Sequence, residues 1–330
     1  MLTPLNQMSR KELSLVLLDL QKLSRHFGSV QALREVTLRL DTGTIGLVGN
    51  NGAGKSTLLK ILLGLLPPSS GSGTILGCDI RQTGLQLRGR IGYMPEAAAT
   101  VPLLKGVEYV ALSGDLYGMP FRDARRRAHE VLNYVGLGEL RYRRLDEYSA
   151  GNLQRLKLAA ALVHDPELLL LDEPTNGLDP AGRMSMLRLL EDLIAETGKS
   201  LILCTHLLKD VERLCKQVVV LHQGTIAKSG PIEEMTRAAE NRYEVHWRDA
   251  NSDFLSRFCR SGGTVLHQGE VSEAMALVAL PETWQARQLF ELAAQCGTVV
   301  TRLREDDEDL ERLFMRLTAK QTTGTQELTA

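Results

Sequence analysis

The sequence predicts an α/β protein built on a mainly parallel sheet, and three observations predict it. A glycine-rich phosphate loop, Gly49-Asn50-Asn51-Gly52-Ala53-Gly54-Lys55-Ser56-Thr57, joins the short apolar segment Thr44–Val48 to the helical Leu58–Leu63. The run Leu168–Leu171 is apolar at every position, as a strand buried on both faces must be, and it runs into Asp172-Glu173. Strand-like segments then alternate with helix-period ones, the pattern of helices layered on a sheet.

At 330 residues the chain exceeds one ordinary core, so a larger and a smaller domain are expected. The formal net charge of −1 argues against a protein that binds by neutralising phosphates along a polymer, and no nucleic-acid partner is expected. Cys78, Cys204, Cys215, Cys259 and Cys296 are scattered without a C-x-x-C pair, which fits a reducing cytosol and no zinc site or disulfide framework. No apolar run approaches the ~18 residues that cross a bilayer. Met1–Lys11 lacks the apolar core of a secretory signal. A role at a membrane would therefore run through a partner.

In chain order, residues 1–13 read as a loose polar extension. Apolar runs from Leu15 to Leu40, broken at Phe27-Gly28, predict an antiparallel strand pair. The phosphate loop and its helix follow and stop at Gly64 and Pro67-Pro68. Gly71–Gly77 reads as a turn and short strand, and Ile91–Glu96 as another strand. From Leu103 to Leu140 the period turns helical, with Val107, Val110, Ala111 and Leu112 in one stretch and Ala124, Ala128, Val131, Leu132 and Val135 in a second. Residues 100–165 are thus expected to be a helical insertion. After Leu168–Leu171 come a helix bearing Met184, Leu187, Leu190 and Ile194, a strand Ser200–Cys204 ending at Thr205-His206, and a helix with Leu208, Val211 and Leu214. A hairpin over 218–228 closes a domain of 14–235. A charged linker helix over 232–243 leads to a small α+β domain (236–320), with strands at Tyr243–Trp247, Ala274–Leu280 and Thr298–Leu303, and helices over Glu282–Cys296 and at the end. Residues 321–330 are expected to be a second loose tail.

The chemistry begins at the phosphate loop. Glycines let successive N–H groups curl toward phosphate oxygens, and the helix N-terminus adds partial positive charge. Lys55 is placed to reach the β- and γ-phosphates, and the Ser56 hydroxyl to ligate Mg²⁺. A second acidic element is needed on the strand beside this loop, and Leu168–Glu173 supplies it. Asp172 suits the Mg²⁺ shell, and Glu173 is placed to polarise a water for attack on the γ-phosphate.

The order of these motifs resembles one family, the ATP-binding-cassette (ABC) ATPases, over about residues 14–235. Phe27 falls where that family carries the aromatic that stacks on adenine. Gly49–Thr57 matches its Walker A segment and Leu168–Glu173 its Walker B. Glu96, after Gly92-Tyr93-Met94-Pro95, falls at the Q-loop glutamine. Tyr148-Ser149-Ala150-Gly151-Asn152 falls at the signature Leu-Ser-Gly-Gly-Gln, Asn176-Gly177-Leu178-Asp179 matches the D-loop, and His206 matches the switch histidine. The resemblance implies a P-loop NTPase cassette with an N-terminal antiparallel β part, a helical insertion and, here, a small C-terminal appendage. It implies ATP and Mg²⁺ as cofactors and catalytic roles for Glu173 (base), His206 (γ-phosphate contact) and Lys55. Nucleotide contacts are implied for Phe27, Gly49, Asn50, Asn51, Gly52, Ala53, Gly54, Ser56, Thr57, Glu96, Ser149, Gly151, Asn152 and Asp179, and metal contacts for Ser56, Asp172 and Glu96. It further implies that two subunits close head-to-tail, the signature segment of one meeting the nucleotide of the other.

Three departures from the family pattern bear on the chemistry. Ala150 replaces a signature glycine, Asn152 shortens its glutamine, and Glu96 puts a carboxylate where an amide is usual. A cassette of this kind resembles the separate ATP-binding subunit of a bacterial exporter-type transporter, a homodimer held on the inner face of the membrane by a polytopic permease. Leu310-Glu311-Arg312-Leu313-Phe314-Met315-Arg316-Leu317 resembles the closing helix of that branch. The rival readings are a non-transport ABC ATPase and a nucleotide-gated regulatory module with weak hydrolysis.

Overall fold

The computed structural model describes residues 16–82, 84–97, 101–236, 242–248, 253–268, 274–281, 283–305 and 310–323. Positions 1–13 and 324–330 lie outside the described residues, and residues 321–323 of the expected second tail instead end a helix. The chain divides into two compact units between Ile232 and Glu233.

The first unit opens with β1 (Val16–Phe27), β2 (Val30–Asp41), β3 (Thr44–Val48), α1 (Lys55–Leu62), β4 (Ser70–Ile75), β5 (Cys78–Asp79), α2 (Leu85–Arg88) and β6 (Ile91–Met94). Helices α3 (Gly106–Leu116), α4 (Phe121–Tyr134) and α5 (Ala150–Leu162) follow. The chain then runs through β7 (Leu168–Asp172), α6 (Pro180–Thr197), β8 (Ser200–Cys204), α7 (Leu208–Leu214), β9 (Gln217–His222) and β10 (Thr225–Pro231). β1 and β2 pair antiparallel and meet at Phe27 and Val30, as the apolar runs predict, and belong to a sheet of order β2-β1-β4-β5.

The second sheet has the order β10-β9-β3-β8-β7-β6, parallel except at β10. Here one expectation is corrected: the acidic strand β7 does not lie beside the phosphate-loop strand β3. β8 stands between them, and its own sequence explains why, since all five of its residues are buried and it can occupy a central place. The register lines up Leu47, Cys204 and Asp172 across the three strands. The carboxyl end of β8, and hence Thr205-His206, is thereby set between the loop and the acids.

α1 explains how the two sheets meet. Leu58, Leu59, Ile61 and Leu62 are all buried, so the helix has little solvent face. They share one core with Leu18, Leu20 and Leu33 of the antiparallel sheet and with Ile45, Leu47, Leu170 and Ile202 of the parallel one. Each such side chain contributes roughly 1.5–3 kcal/mol when removed from water.

In the helical part, α4 buries Ala124, Ala128, Val131 and Leu132, the predicted stripe. α3 buries Val107, Val110 and Ala111, but Leu112, expected with them, is turned outward.

The second unit begins within α8 (Ile232–Thr236), which occupies the start of the expected linker. It comprises β11 (Arg242–Arg248), α9 (Asp253–Arg260), β12 (Thr264–Gln268), β13 (Met275–Ala279), α10 (Ala286–Gln295), β14 (Val299–Glu305) and α11 (Leu310–Thr323). The sheet order β12-β13-β11-β14 makes this a split β-α-β-β-α-β unit of ferredoxin-like topology. α9 and β12 are additions to the sequence reading. α9 is held by Phe254 and Phe258, one turn apart and fully buried, with Trp247 and Trp284 edge-on to them. α11 buries Leu310 and Leu313 of its expected apolar face.

One packed pair ties the helical part of the first unit to its sheet. The His164 ring stacks on Tyr117 at 3.5 Å between centroids, and its Nε2 lies 3.1 Å from the Ile91 carbonyl, to which it donates. Nδ1 is buried without a partner, and burial holds the imidazole's pKa down at about 4. The folded state therefore resists a proton that the unfolded chain accepts near pH 6.5. This contribution to stability is complete above pH 6.5 and declines as the pH falls toward about 4. Melting temperatures of wild type should fall more steeply between pH 7 and pH 4.5 than those of His164→Phe, whose ring keeps the stack without a titrating group; parallel slopes would contradict this.

Candidate active site

The phosphate loop turns between β3 and α1 under tight constraint. Gly54 has φ +107°, and a side chain there would stand 2.6 Å from the Ala32 carbonyl of the β1–β2 hairpin. A Cβ at Gly49 would come within 2.4 Å of the Leu221 carbonyl. Only glycine fits either position. No side chain caps the α1 N-terminus and no acid occupies its first turn, which leaves its N–H groups open to an anion. Lys55 is buried and donates from Nζ to the carbonyls of Gly49 (2.5 Å) and Asn50 (3.3 Å), folding the loop around its own ammonium.

A cleft of about 500 Å³ opens over this loop. It is lined by Asn50 through Thr57 together with Glu96, Asp172, Glu173, Asn176, His206 and Ala32. The sequence reading expected most of these together. It missed Ala32, which contributes backbone and has no side-chain signal, and it placed Asn176 only within a loop motif.

The acids differ in environment. The Asp172 carboxyl is buried at the end of β7, and burial raises its pKa; the nearby Glu96 and Glu173 add to this, while the Cys204 thiol and Lys55 oppose it. Burial likewise pushes the adjacent Tyr93 up to about 12. Glu173 sits at φ +50°, a conformation unusual for a side chain of its size, and is buried. Its Oε2 accepts from Thr205 Oγ1 (3.0 Å), and its Oε1 accepts from the His206 N–H (3.0 Å) and lies 2.8 Å from His206 Nδ1. The carboxylate is thus fixed on both oxygens by the residues that end β8, and half of the His206 side chain remains exposed. Below this pair, Thr175 Oγ1 donates to Asp210 (2.7 Å) and Arg183 pairs with the same carboxylate, pinning the loop after β7 to α6 and α7.

Among the described residues, no group of three or more His, Cys, Asp or Glu converges to hold a metal by itself. Ser56 and Asp172 nevertheless both line the cleft. Two hard oxygen donors, one of them a buried carboxylate with acidic neighbours, fit a Mg²⁺ ion that takes its remaining ligands from phosphate and water.

The signature segment lies elsewhere. Ser149 caps α5, its Oγ accepting from the Asn152 N–H (3.3 Å), and Ala150 starts the helix with ordinary backbone angles. Ser149, Ala150, Gly151, Asn152 and Asp179 line a second cleft of about 690 Å³ that shares no residue with the first. Asp179 caps α6 through Oδ1, which accepts from the Gly182 N–H (2.9 Å). Phe27 stands at the end of β1, 46% exposed, with the Arg25 guanidinium 4.8 Å over its ring. It does not line the first cleft.

A family model described as "ABC transporter" matches residues 33–176. The uncharacterized ABC transporter ATP-binding protein YxlF of Bacillus subtilis is 31% identical over 303 residues, covering 91% of this chain and 99% of that one. The linearmycin resistance ATP-binding protein LnrL of the same species is 30% identical over 310 residues, covering 92% and 99%. Among solved structures, a dimeric ATP-binding cassette in a post-hydrolysis state with ADP and Pi superposes with a TM-score of 0.59 at 26% identity, covering 65% of this chain and 98% of that one. The chain belongs to the ATP-binding proteins of ABC transporters, and it is an ATPase of that family.

Proposed function

We propose that this ATP-binding subunit works as a head-to-tail homodimer that drives export through a separate membrane permease. The observation that carries the reading is the separation of two clefts on one chain. One holds the phosphate loop, the acids and His206; the other holds the signature segment. Each is open, and two copies facing each other join the first cleft of one to the second of its partner.

In the joined site, the loop N–H groups and Lys55 take the β- and γ-phosphates, Lys55 exchanging its loop carbonyls for phosphate oxygens. Ser56 and Asp172 would hold Mg²⁺, with Glu96 beside them in the cleft lining, and the ion would supply charge neutralisation on the phosphate oxygens. Glu173, held by Thr205 and His206, takes a proton from a water as its oxygen attacks the γ-phosphorus in line and the bond to ADP breaks. The partner's signature helix offers the Ser149 hydroxyl and the Gly151 N–H to the γ-phosphate. Phe27 supplies a face for adenine, with Arg25 over its ring. Loss of the γ-phosphate removes the contacts that bridge the copies, and the dimer opens.

No described helix is long and apolar enough to cross a membrane, so membrane attachment is assigned to a partner. The helical part offers a surface for it. Leu112 and Leu116 lie one turn apart on α3, Phe121 begins α4 and Leu103 precedes them, all exposed, Leu116 to 77%. Export accords with LnrL, whose name ties it to resistance.

Replacing Glu173 by Gln should lower ATP turnover by at least about 100-fold, the scale of a general base, and make an ATP-bound dimer accumulate in light scattering. Unchanged turnover would overturn the assignment of the base. Charging the α3 surface with Leu112→Glu and Leu116→Glu should abolish co-purification with a permease while leaving ATPase activity of the isolated subunit unchanged. Retained co-purification would place the permease contact elsewhere.

A further inference from the structure

Gln154 and Lys157 lie three positions apart on α5 and share a face, and both are buried on the helix that Ser149 caps. Gln154 Nε2 donates to the Asn176 carbonyl (2.9 Å) in the loop after β7. Lys157 Nζ donates to the carbonyls of Pro95 (2.9 Å) and Glu96 (2.8 Å) at the end of β6. Asn176 Nδ2 in turn donates to Glu96 Oε1 (3.3 Å). The bonds close a ring that leaves the signature helix, passes through two loops on the wall of the first cleft, and returns.

A buried ammonium costs several kcal/mol unless its donors and charge are met. Lys157 is only 4% exposed, and an apolar side chain of its length would fill the space without that cost. Burial lowers its pKa, and the negative charges of Glu96 and Asp172 act in the other direction. Lys157 does not line the cleft, so it does not reach a ligand there directly.

We propose that Lys157 is a positioning residue for ATP hydrolysis. It acts through the Pro95–Glu96 loop, setting the place of the Glu96 carboxylate at the cleft rim and making the Ser149 end of α5 move with that loop. In this account the carboxylate at position 96 and the buried ammonium at position 157 form one functional unit. The inference rests on the first cleft being the ATP site with Glu96 at its rim.

The test is a double-mutant cycle in steady-state ATPase assays. Lys157→Met keeps the length and packing but loses both hydrogen bonds. Losing those bonds from a charged donor should lower kcat about tenfold or more, with KM for ATP within about twofold of wild type. Lys157→Arg, which still donates, should recover part of the loss. Adding Glu96→Gln to Lys157→Met should cost less than the sum of the two single effects, because both act on one loop. An unchanged kcat, a KM that rises in step with the loss, or strictly additive effects would overturn the proposal. If Lys157→Met does not fold, the cycle of Lys157→Arg with Glu96→Gln carries the same decision between coupled and additive losses. Glu173→Gln is the control: full activity in that variant would mean the site reading has failed. An inactive Glu173→Gln beside an unimpaired Lys157→Met would sink the positioning role alone.

Discussion

The first unit depends on the burial of α1. A helix with leucine or isoleucine at four of its last five positions has no stable place on a surface, and it needs cover on nearly every side. The antiparallel sheet supplies one cover and the parallel sheet the other. Enclosing the leucine and isoleucine side chains of α1 leaves its N-terminus free of side-chain caps, and there the N–H groups meet the phosphate loop. The core that holds the unit together is thus the same device that presents a rigid anion site. The close approach of the Ala32 and Leu221 carbonyls to Gly54 and Gly49 shows how firmly that loop is held between the hairpin and β9.

The placement of β8 between β3 and β7 is the second constraint. It brings Thr205 and His206 to the rim between the phosphate loop and the acids, where they fix both oxygens of Glu173. A carboxylate on a left-handed backbone, buried and bonded on one side, is held in a single orientation. In the proposed mechanism, a base held in that way would need no rearrangement when water and phosphate arrive. Asp172, one residue earlier, is left with acidic neighbours and a raised pKa, the opposite of a satisfied carboxylate. In the proposed mechanism, the neighbouring Asp172 and Glu173 would divide charge neutralisation and proton transfer between them.

Much of this was legible in the sequence because it is encoded locally. The phosphate loop, the apolar β7 and the stripe of α4 each carry their signal within a dozen residues, and the structure forms them as read. What was not legible depends on long-range packing. Strand order cannot be read from strands that are all uniformly apolar, so β7 was expected beside β3 when β8 takes that place. Leu112 reads as core by spacing but faces outward, because the apolar neighbours on α3 already fill the contact with α4 and α5. In the second unit, α9 is short and half polar, and only the Phe254–Phe258 pair marked it. Nothing local marks Gln154 and Lys157 as buried, and only the fold shows that their face meets two loops. Phe27 and the cleft are brought together by no bond among the described residues, so its adenine role rests on the family pattern.

The central claim is that each chain carries two half-sites that are completed by another copy. It is tested most directly by mixing chains that carry Asn51→Cys with chains that carry Ala150→Cys, both lacking Cys78, Cys259 and Cys296 and both carrying Glu173→Gln. Asn51 lines the first cleft and Ala150 the second, so a short bifunctional thiol reagent joins them only if the clefts meet across two chains. The account predicts a two-chain product of this mixed pair with ATP and little with ADP. Equal yields with and without nucleotide, or no product with ATP, would contradict it.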